Sequence, residues 1–138
     1  MSIASLHTKE DQQRALMILL KRADRCDLDT PSGVARKIEL LSEAQVIIGR
    51  FAANAVRDYN RVYAERKRVH AEAFLAAKRD KAHHAELAVV ELRLKEAELE
   101  AEKVRWNNAF ASNLEVINSL KYTHKVLMAE MLNPQNGS

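Results

Sequence analysis

Between Gly49 and Pro134 the chain contains neither glycine nor proline. An interior glycine costs a helix roughly 1 kcal/mol and an interior proline about 3. A β or α/β body, by contrast, needs turn residues of this kind roughly every dozen positions. So long an uninterrupted stretch predicts long helices, and an aromatic content of only 5% argues further against a compact sheet-containing core. The chain is therefore expected to be all-α. Long amphipathic helices must cover their apolar stripe with another helix of the same chain or of a second copy, so an oligomeric coiled-coil arrangement is expected.

The 138 residues suit one domain, read as 1–33 (N-terminal helix and linker), 34–132 (a long helical hairpin) and 133–138 (a tail). Thr8 caps a first helix over 8–26, Glu10 and Asp11 suit its first turn, and Leu16, Leu19, Leu20 and Ala23 form its apolar face. Asp27 to Gly33 (DLDTPSG) concentrates turn formers and marks the linker.

From Val34 the pattern is heptad. Ile38, Leu41, Gln45, Ile48, Ala52, Ala55, Tyr59, Val62, Arg66, Val69, Ala73 and Ala76 recur at alternating spacings of three and four. Gln45 and Arg66 interrupt this seam and are expected to set its register. At 1.5 Å per residue a helix over 34–78 would be roughly 68 Å long. The periodicity lapses at Lys78, Arg79, Asp80 and Lys81, where a chain reversal is expected with Asp80 as the next N-cap; a continuous rod is the alternative. The following helix carries one seam on Leu87, Val90, Leu94, Ala97, Ala101 and Val104, then shifts to Trp106, Phe110, Leu114, Ile117, Leu120, His124, Leu127 and Met131. Asn133, Pro134 and Gly137 end it in a frayed tail. The expected oligomer interface draws on both seams: Ile38, Leu41, Ile48, Ala52, Ala55, Tyr59, Val62 and Val69 from the first long helix, and Leu87, Val90, Leu94, Trp106, Phe110, Ile117 and Leu120 from the second.

Charge is unevenly placed. Residues 50–81 hold nine Lys/Arg against four acids, a net of +5, whereas 85–105 carry a net of −2. With Ala52 at a, the cations fall away from the seam: Arg50, Arg57 and Lys78 at f, Arg61 and Arg68 at c, Lys67 at b. Asp58, Glu65 and Glu72 all fall at g, placed to pair with a partner helix. An outward cationic stripe is the footprint expected for a polyanion, most commonly a nucleic-acid backbone. The same stripe also reads as a solvated coiled-coil face. Tyr63, at e, is a candidate for base stacking beside Arg61 and Lys67, or a packed ring next to the seam.

Other chemistry finds little support. His83 and His84 are adjacent, and HExxH, a duplicated ExxH and CxxC are absent, so neither metal nor cofactor is expected. His124 reads as a core or interface histidine and His70 as an exposed one. Cys26 has no identifiable base, phosphate loops need glycines the chain lacks, and the glutamates of 86–102 alternate with Lys and Arg, so no enzyme is expected. Trp106 with Phe110 reads as a core anchor. A single cysteine and a leading stretch without signal-peptide character suggest a reducing cytosol. The longest apolar run, Ala15 to Leu20, is far short of the roughly 20 residues of a membrane span.

Two stretches carry a family resemblance. ERKRVHAEAFLAAK (65–78) is similar to the basic, alanine-rich helix of the UvsY-type recombination mediators of tailed phages, where a KK-V-x-x-x-A-x-L pattern precedes a break; Lys67, Arg68, Val69, Ala73 and Leu75 occupy those positions. VRWNNAFASNLEVINSLKYTHKVLMAEM (104–131) resembles the family's C-terminal helix, with Trp106, Ile117, Leu120, Lys121 and Lys125 in comparable places. Glu72 and Phe74 stand where the family is more basic, and RDKAHH replaces its Gly-rich break. The resemblance implies a ring-forming homo-oligomer in the host cytoplasm that binds single-stranded DNA, destabilises the covering single-strand-binding protein and helps load a RecA-like recombinase. Only Lys67 and Arg68 are carried over as functional residues. The competing expectation is a coiled-coil scaffold that binds no DNA, or a small phage protein that binds and inhibits a host protein.

Overall fold

The computed structural model describes residues 8–133; in it the Thr8 hydroxyl accepts the backbone N–H of Asp11 at 3.0 Å and caps α1, Lys9–Asp24. Glu10 and Asp11 in the first turn and Lys21 and Arg22 in the last complement the helix dipole. Leu16, Leu19 and Ala23 are buried as expected, but Leu20 is exposed.

The second helix, α2, spans Pro31–Ala76. It starts three residues before the expected Val34 because Pro31 suits a first helical position. Thr30 supplies the cap, its Oγ1 accepting from Gly33 N–H at 3.1 Å. Gly33 is required by a close approach: a Cβ there would lie 1.8 Å from the Asp27 carbonyl oxygen. Asp27 Oδ1 in turn accepts from Asp29 N–H at 2.9 Å, closing the linker turn.

The chain reverses at residues 77–80, as the lapse in periodicity predicts. Asp80 adopts a left-handed conformation (φ 48°) and its side chain makes no capping hydrogen bond. Its contribution is the backbone turn, not the expected side-chain cap. Its carbonyl accepts from His84 N–H at 3.0 Å and opens α3, Lys81–Ala88. The third expected helix is divided, since Val89 leaves helical geometry before α4, Val90–Leu132. Pro134 and Gly137 lie outside the described residues. The chain is all-α, with four helices and no strand among the described residues.

The helices form two compact units, the described parts of which are residues 8–50 with 109–133, and Phe51–Asn108. In the first, α1, the leading half of α2 and the trailing half of α4 meet. Val34, Leu40, Ala44 and Ile47 are buried beside the seam residues Leu41 and Ile48, a wider stripe than the heptad alone, as a helix contacting two neighbours requires. Ile117 and Leu120 complete this core. Gln45, the polar interruption of the seam, bonds across to α4: its Nε2 donates to the Phe110 carbonyl at 3.0 Å, while Asn113 Nδ2 donates to Gln45 Oε1 at 2.8 Å and to the Leu41 carbonyl at 3.0 Å. Asn113 therefore faces inward where Leu114 was expected, and Leu114 is exposed.

In the second unit the remainder of α2 runs antiparallel to α3 and the start of α4. Phe51 and Trp106 pack with ring centroids 4.7 Å apart, Lys103 Nζ lies 4.1 Å above the Tyr59 ring, and Arg66 pairs with Glu96. The face of α3 and α4 turned inward is Ala85, Val89, Leu92, Glu96, Leu99, Lys103 and Trp106, all buried or half-buried. The expected seam on Leu87, Val90, Leu94, Ala97, Ala101 and Val104 is exposed. The inward face simply carries the Trp106 register back towards Ala85, so the expected shift of seam at Trp106 is absent. Its polar members Glu96 and Lys103 are satisfied by Arg66 and Tyr59.

Candidate nucleic-acid interface

The five cations expected to contact nucleic acid, Arg57, Arg61, Lys67, Arg68 and Lys78, all belong to the second unit. Arg57, Arg61, Lys67 and Arg68 lie on the exposed side of α2, because the a and d positions between them, Tyr59, Val62, Arg66 and Val69, are half-buried towards the partner helices. Lys78 lies in the α2–α3 turn and is also exposed.

Their electrostatic states differ. Arg68 is held in a fork on its own helix, with Nε 3.0 Å from Glu65 Oε2 and Nη1 2.7 Å from Glu72 Oε1. Hydrogen bonds to Glu65, then Glu72, raise the guanidinium above its ordinary pKa, and the bond from Arg68 lowers that of the Glu65 carboxyl. Glu65 and Glu72, expected to pair with a neighbouring helix, are thus used within α2. Arg57 has a looser contact with Asp58 at 3.8 Å. Arg61, Lys67 and Lys78 have no carboxylate within salt-bridge distance among the described residues.

The turn supplies two further cations, which belong to the basic 50–81 segment but not to the expected contact residues. Arg79 and Lys81 are exposed and likewise lack a carboxylate partner among the described residues. Lys81 Nζ sits 5.7 Å from the centroid of the Phe74 ring. The charge run KRDK was the available signal.

Tyr63 is 37% exposed, but its ring is already engaged. Lys67 Nζ lies 4.8 Å and Arg66 Cζ 5.3 Å from its centroid, and Tyr59 stacks alongside at 6.2 Å. A base stacking on Tyr63 would have to displace these cations. Burial, followed by the charges of Glu100 and Glu96, raises the Tyr59 phenol pKa.

The residues expected at an oligomer interface divide into three groups. Leu41, Ile48, Ala52, Ala55, Ile117 and Leu120 are buried by the chain's own helices. Ile38, Tyr59, Val62, Val69 and Trp106 are half-buried, whereas Leu87, Val90, Leu94 and Phe110 are exposed.

Among the described residues, His83 and His84 adjoin, with ring centroids 6.3 Å apart. His70 Nε2 lies 3.4 Å from Glu86 Oε1, and His124 is half-buried on the inner face of α4. Cys26 Sγ donates to the Arg22 carbonyl at 3.5 Å. No group of three or more metal-ligating side chains gathers among the described residues, and no helix among them is long and apolar enough to cross a membrane. Comparison with protein-family models, curated proteins and solved structures returns no match for this chain.

Proposed function

We propose that the chain is a non-enzymatic, homo-oligomeric helical protein that binds the backbone of a single-stranded nucleic acid. The observation that carries this reading is a group of five exposed cations, Arg61, Lys67, Lys78, Arg79 and Lys81, on one unit and without carboxylate partners among the described residues. Such groups replace the counterions condensed on phosphates, and an oligomer multiplies a few contacts per subunit into useful affinity. Arg57 adds a sixth, looser contact, while Arg68 contributes little because its acid fork already neutralises it.

Phosphate charge alone does not distinguish one strand from two. The preference for single strands, together with a role in loading a RecA-like recombinase against a single-strand-binding protein, rests on the resemblance to the UvsY-type mediators. The test is fluorescence anisotropy with a labelled single strand and the matching duplex across a salt series, alongside light scattering for mass. Tighter single-strand binding by a discrete oligomer is the expected result; absence of binding to either at low salt overturns the reading.

A second reading, a coiled-coil scaffold or an inhibitor that docks on another protein, is supported by the exposed apolar residues Leu87, Val90, Leu94 and Val104. Its distinguishing result is a purified protein free of co-purifying nucleic acid, judged by the absorbance ratio at 260 and 280 nm.

A further inference from the structure

The outer side of α3 and α4 carries a second heptad stripe that nothing among the described residues covers. Leu87, Val90, Leu94, Ala97, Ala101 and Val104 follow alternating spacings of three and four. The four large members are between 45% and 59% exposed. A stripe of this period is the pattern of a coiled-coil seam, and no such apolar row is needed for solubility.

We propose that this stripe is a self-association seam on which a second copy of the chain docks in parallel and in register. The inference deepens the oligomeric part of the function proposed above. The two readings separate in the test: an unchanged mass in the seam variants overturns this seam and leaves the oligomeric nucleic-acid reading standing, whereas a monomeric wild type overturns the oligomeric part of both.

The flanking charges choose the occupant and its direction. With Leu87, Leu94 and Ala101 at a and Val90, Ala97 and Val104 at d, the g positions are Glu86, Arg93 and Glu100, and the e positions are Glu91, Glu98 and Arg105. In a parallel pair each g residue meets the e residue five positions on in the other copy. Arg93 then meets Glu98, and Glu100 meets Arg105, each twice by symmetry. The single like-charged pairing, Glu86 with Glu91, spans the break at Val89 between α3 and α4 and is outweighed by these two attractive pairs, in which Arg93 and Arg105 are shared with their own-chain partners Glu86 and Glu102 at 3.2 and 2.8 Å. An antiparallel pair would gain Arg93 against Glu100 but set Glu91 against Glu98, and the two contributions cancel. Ala97 and Ala101 in the central layers permit close approach of the two backbones.

The experiment is sedimentation velocity on the full chain over a concentration series, comparing the wild type with Leu94→Glu and Val104→Glu. Both positions are exposed, so the substitutions leave the core intact, and circular dichroism checks that helicity is retained. The proposal expects a concentration-dependent dimer or multiple of dimers for the wild type and a halved mass for each helical variant. A wild type that stays monomeric up to about 100 μM, a concentration at which an association of even modest affinity is populated, overturns the seam. So does an unchanged mass in both variants. Orientation is read from Ala97→Cys in a Cys26→Ser background. Parallel in-register copies place the two d-position thiols together and yield a cross-linked dimer on oxidation; an antiparallel pair sets Ala97 against Leu94 and yields none, which overturns the parallel arrangement.

Discussion

Arg66 of α2 and Glu96 of α4 form a guanidinium–carboxylate pair whose side chains are only 14% and 15% exposed. A second contact, Arg66 Nη2 to Glu96 Oε1, measures 3.4 Å. The bond to Glu96 raises the Arg66 pKa. Both residues occupy inward heptad positions, so any slip of one helix along the other would leave two largely desolvated charges unmatched. The pair therefore works as a register pin for the second unit.

Removing one partner exposes that role. Arg66→Leu or Glu96→Leu leaves the other charge without its mate and is expected to cost about 1–3 kcal/mol. The double substitution makes the layer apolar and is expected to return to within about 1 kcal/mol of the wild type, since an apolar pair of similar volume often replaces an ion pair at little loss. A double-mutant cycle by urea denaturation measures the coupling. Single-mutant costs that merely add would show that the pair does not act as a unit.

Arg66 was legible in the sequence as an interruption of the α2 seam, as was Gln45, but their partners were not. Glu96 and Asn113 are not legible as inward positions because each sits one position from an apolar residue, Ala97 and Leu114, that suits a hydrophobic stripe better. Periodicity reports where apolar residues recur and is silent about which of two stripes faces inward. Two apolar rows on α4 competed, and the row with polar members won because Arg66, Tyr59 and Gln45 satisfy them. Helix class, the Thr8 cap and the reversal were readable because each depends on local residues; inward facing depends on residues dozens of positions away. The same limit applies to charge: the cationic side of α2 was legible, whereas the neutralisation of Arg68 depended on the conformation of Glu65 and Glu72.

The Asn113 position offers a direct check on that explanation. Asn113→Ala removes two donated hydrogen bonds and leaves Gln45 Oε1 without that donor, a loss of about 1 kcal/mol or more. Leu114→Ala, on the exposed side, is expected to stay within about 0.5 kcal/mol of the wild type. Thermal unfolding distinguishes the two, and a larger loss for Leu114 would reverse the assignment of faces.

The two described glycines should respond in opposite directions to alanine. At Gly33 the new Cβ would strike the Asp27 backbone, so Gly33→Ala is expected to destabilise by more than about 1 kcal/mol. At Gly49, inside α2, the Cβ would lie 3.3 Å from Phe110 Cε2, and Phe110 is 39% exposed and able to yield. Gly49→Ala is therefore expected to raise stability, by at most the roughly 1 kcal/mol that separates the two residues in a helix interior. A fall in melting temperature for Gly49→Ala would mean that Phe110 is fixed in place.

Acid should weaken the second unit. The Glu86 carboxyl is lowered from its ordinary value of 4.5, chiefly by its hydrogen bond with Arg93 and further by the charges of Arg93 and His70. The Glu65 carboxyl is lowered by its bond with Arg68. A group whose folded pKa is depressed contributes stability that is present above its unfolded pKa and lost as pH falls through the folded one. Stability should therefore decline as pH drops below about 4.5, and Glu86→Gln should flatten part of that decline. An identical acid profile in the variant would show that Glu86 makes no contribution to it.

The acid fork around Arg68 supplies the sharpest test of the nucleic-acid reading. If the outward side of α2 meets phosphates, Glu65→Gln with Glu72→Gln releases the Arg68 charge and removes two repelling carboxylates. Binding should then tighten, and the slope of log affinity against log salt should steepen by about 0.7, the share of one additional phosphate contact on a single strand. Arg68→Ala alone should change the slope little, while Arg61→Ala with Lys67→Ala should flatten it by about 1.4 through the loss of two contacts. Anisotropy titrations at several salt concentrations measure all three. Slopes unchanged in both the glutamine and the Arg61/Lys67 variants would remove this side of α2 from the binding surface and leave Lys78, Arg79 and Lys81 of the turn as the cations to test.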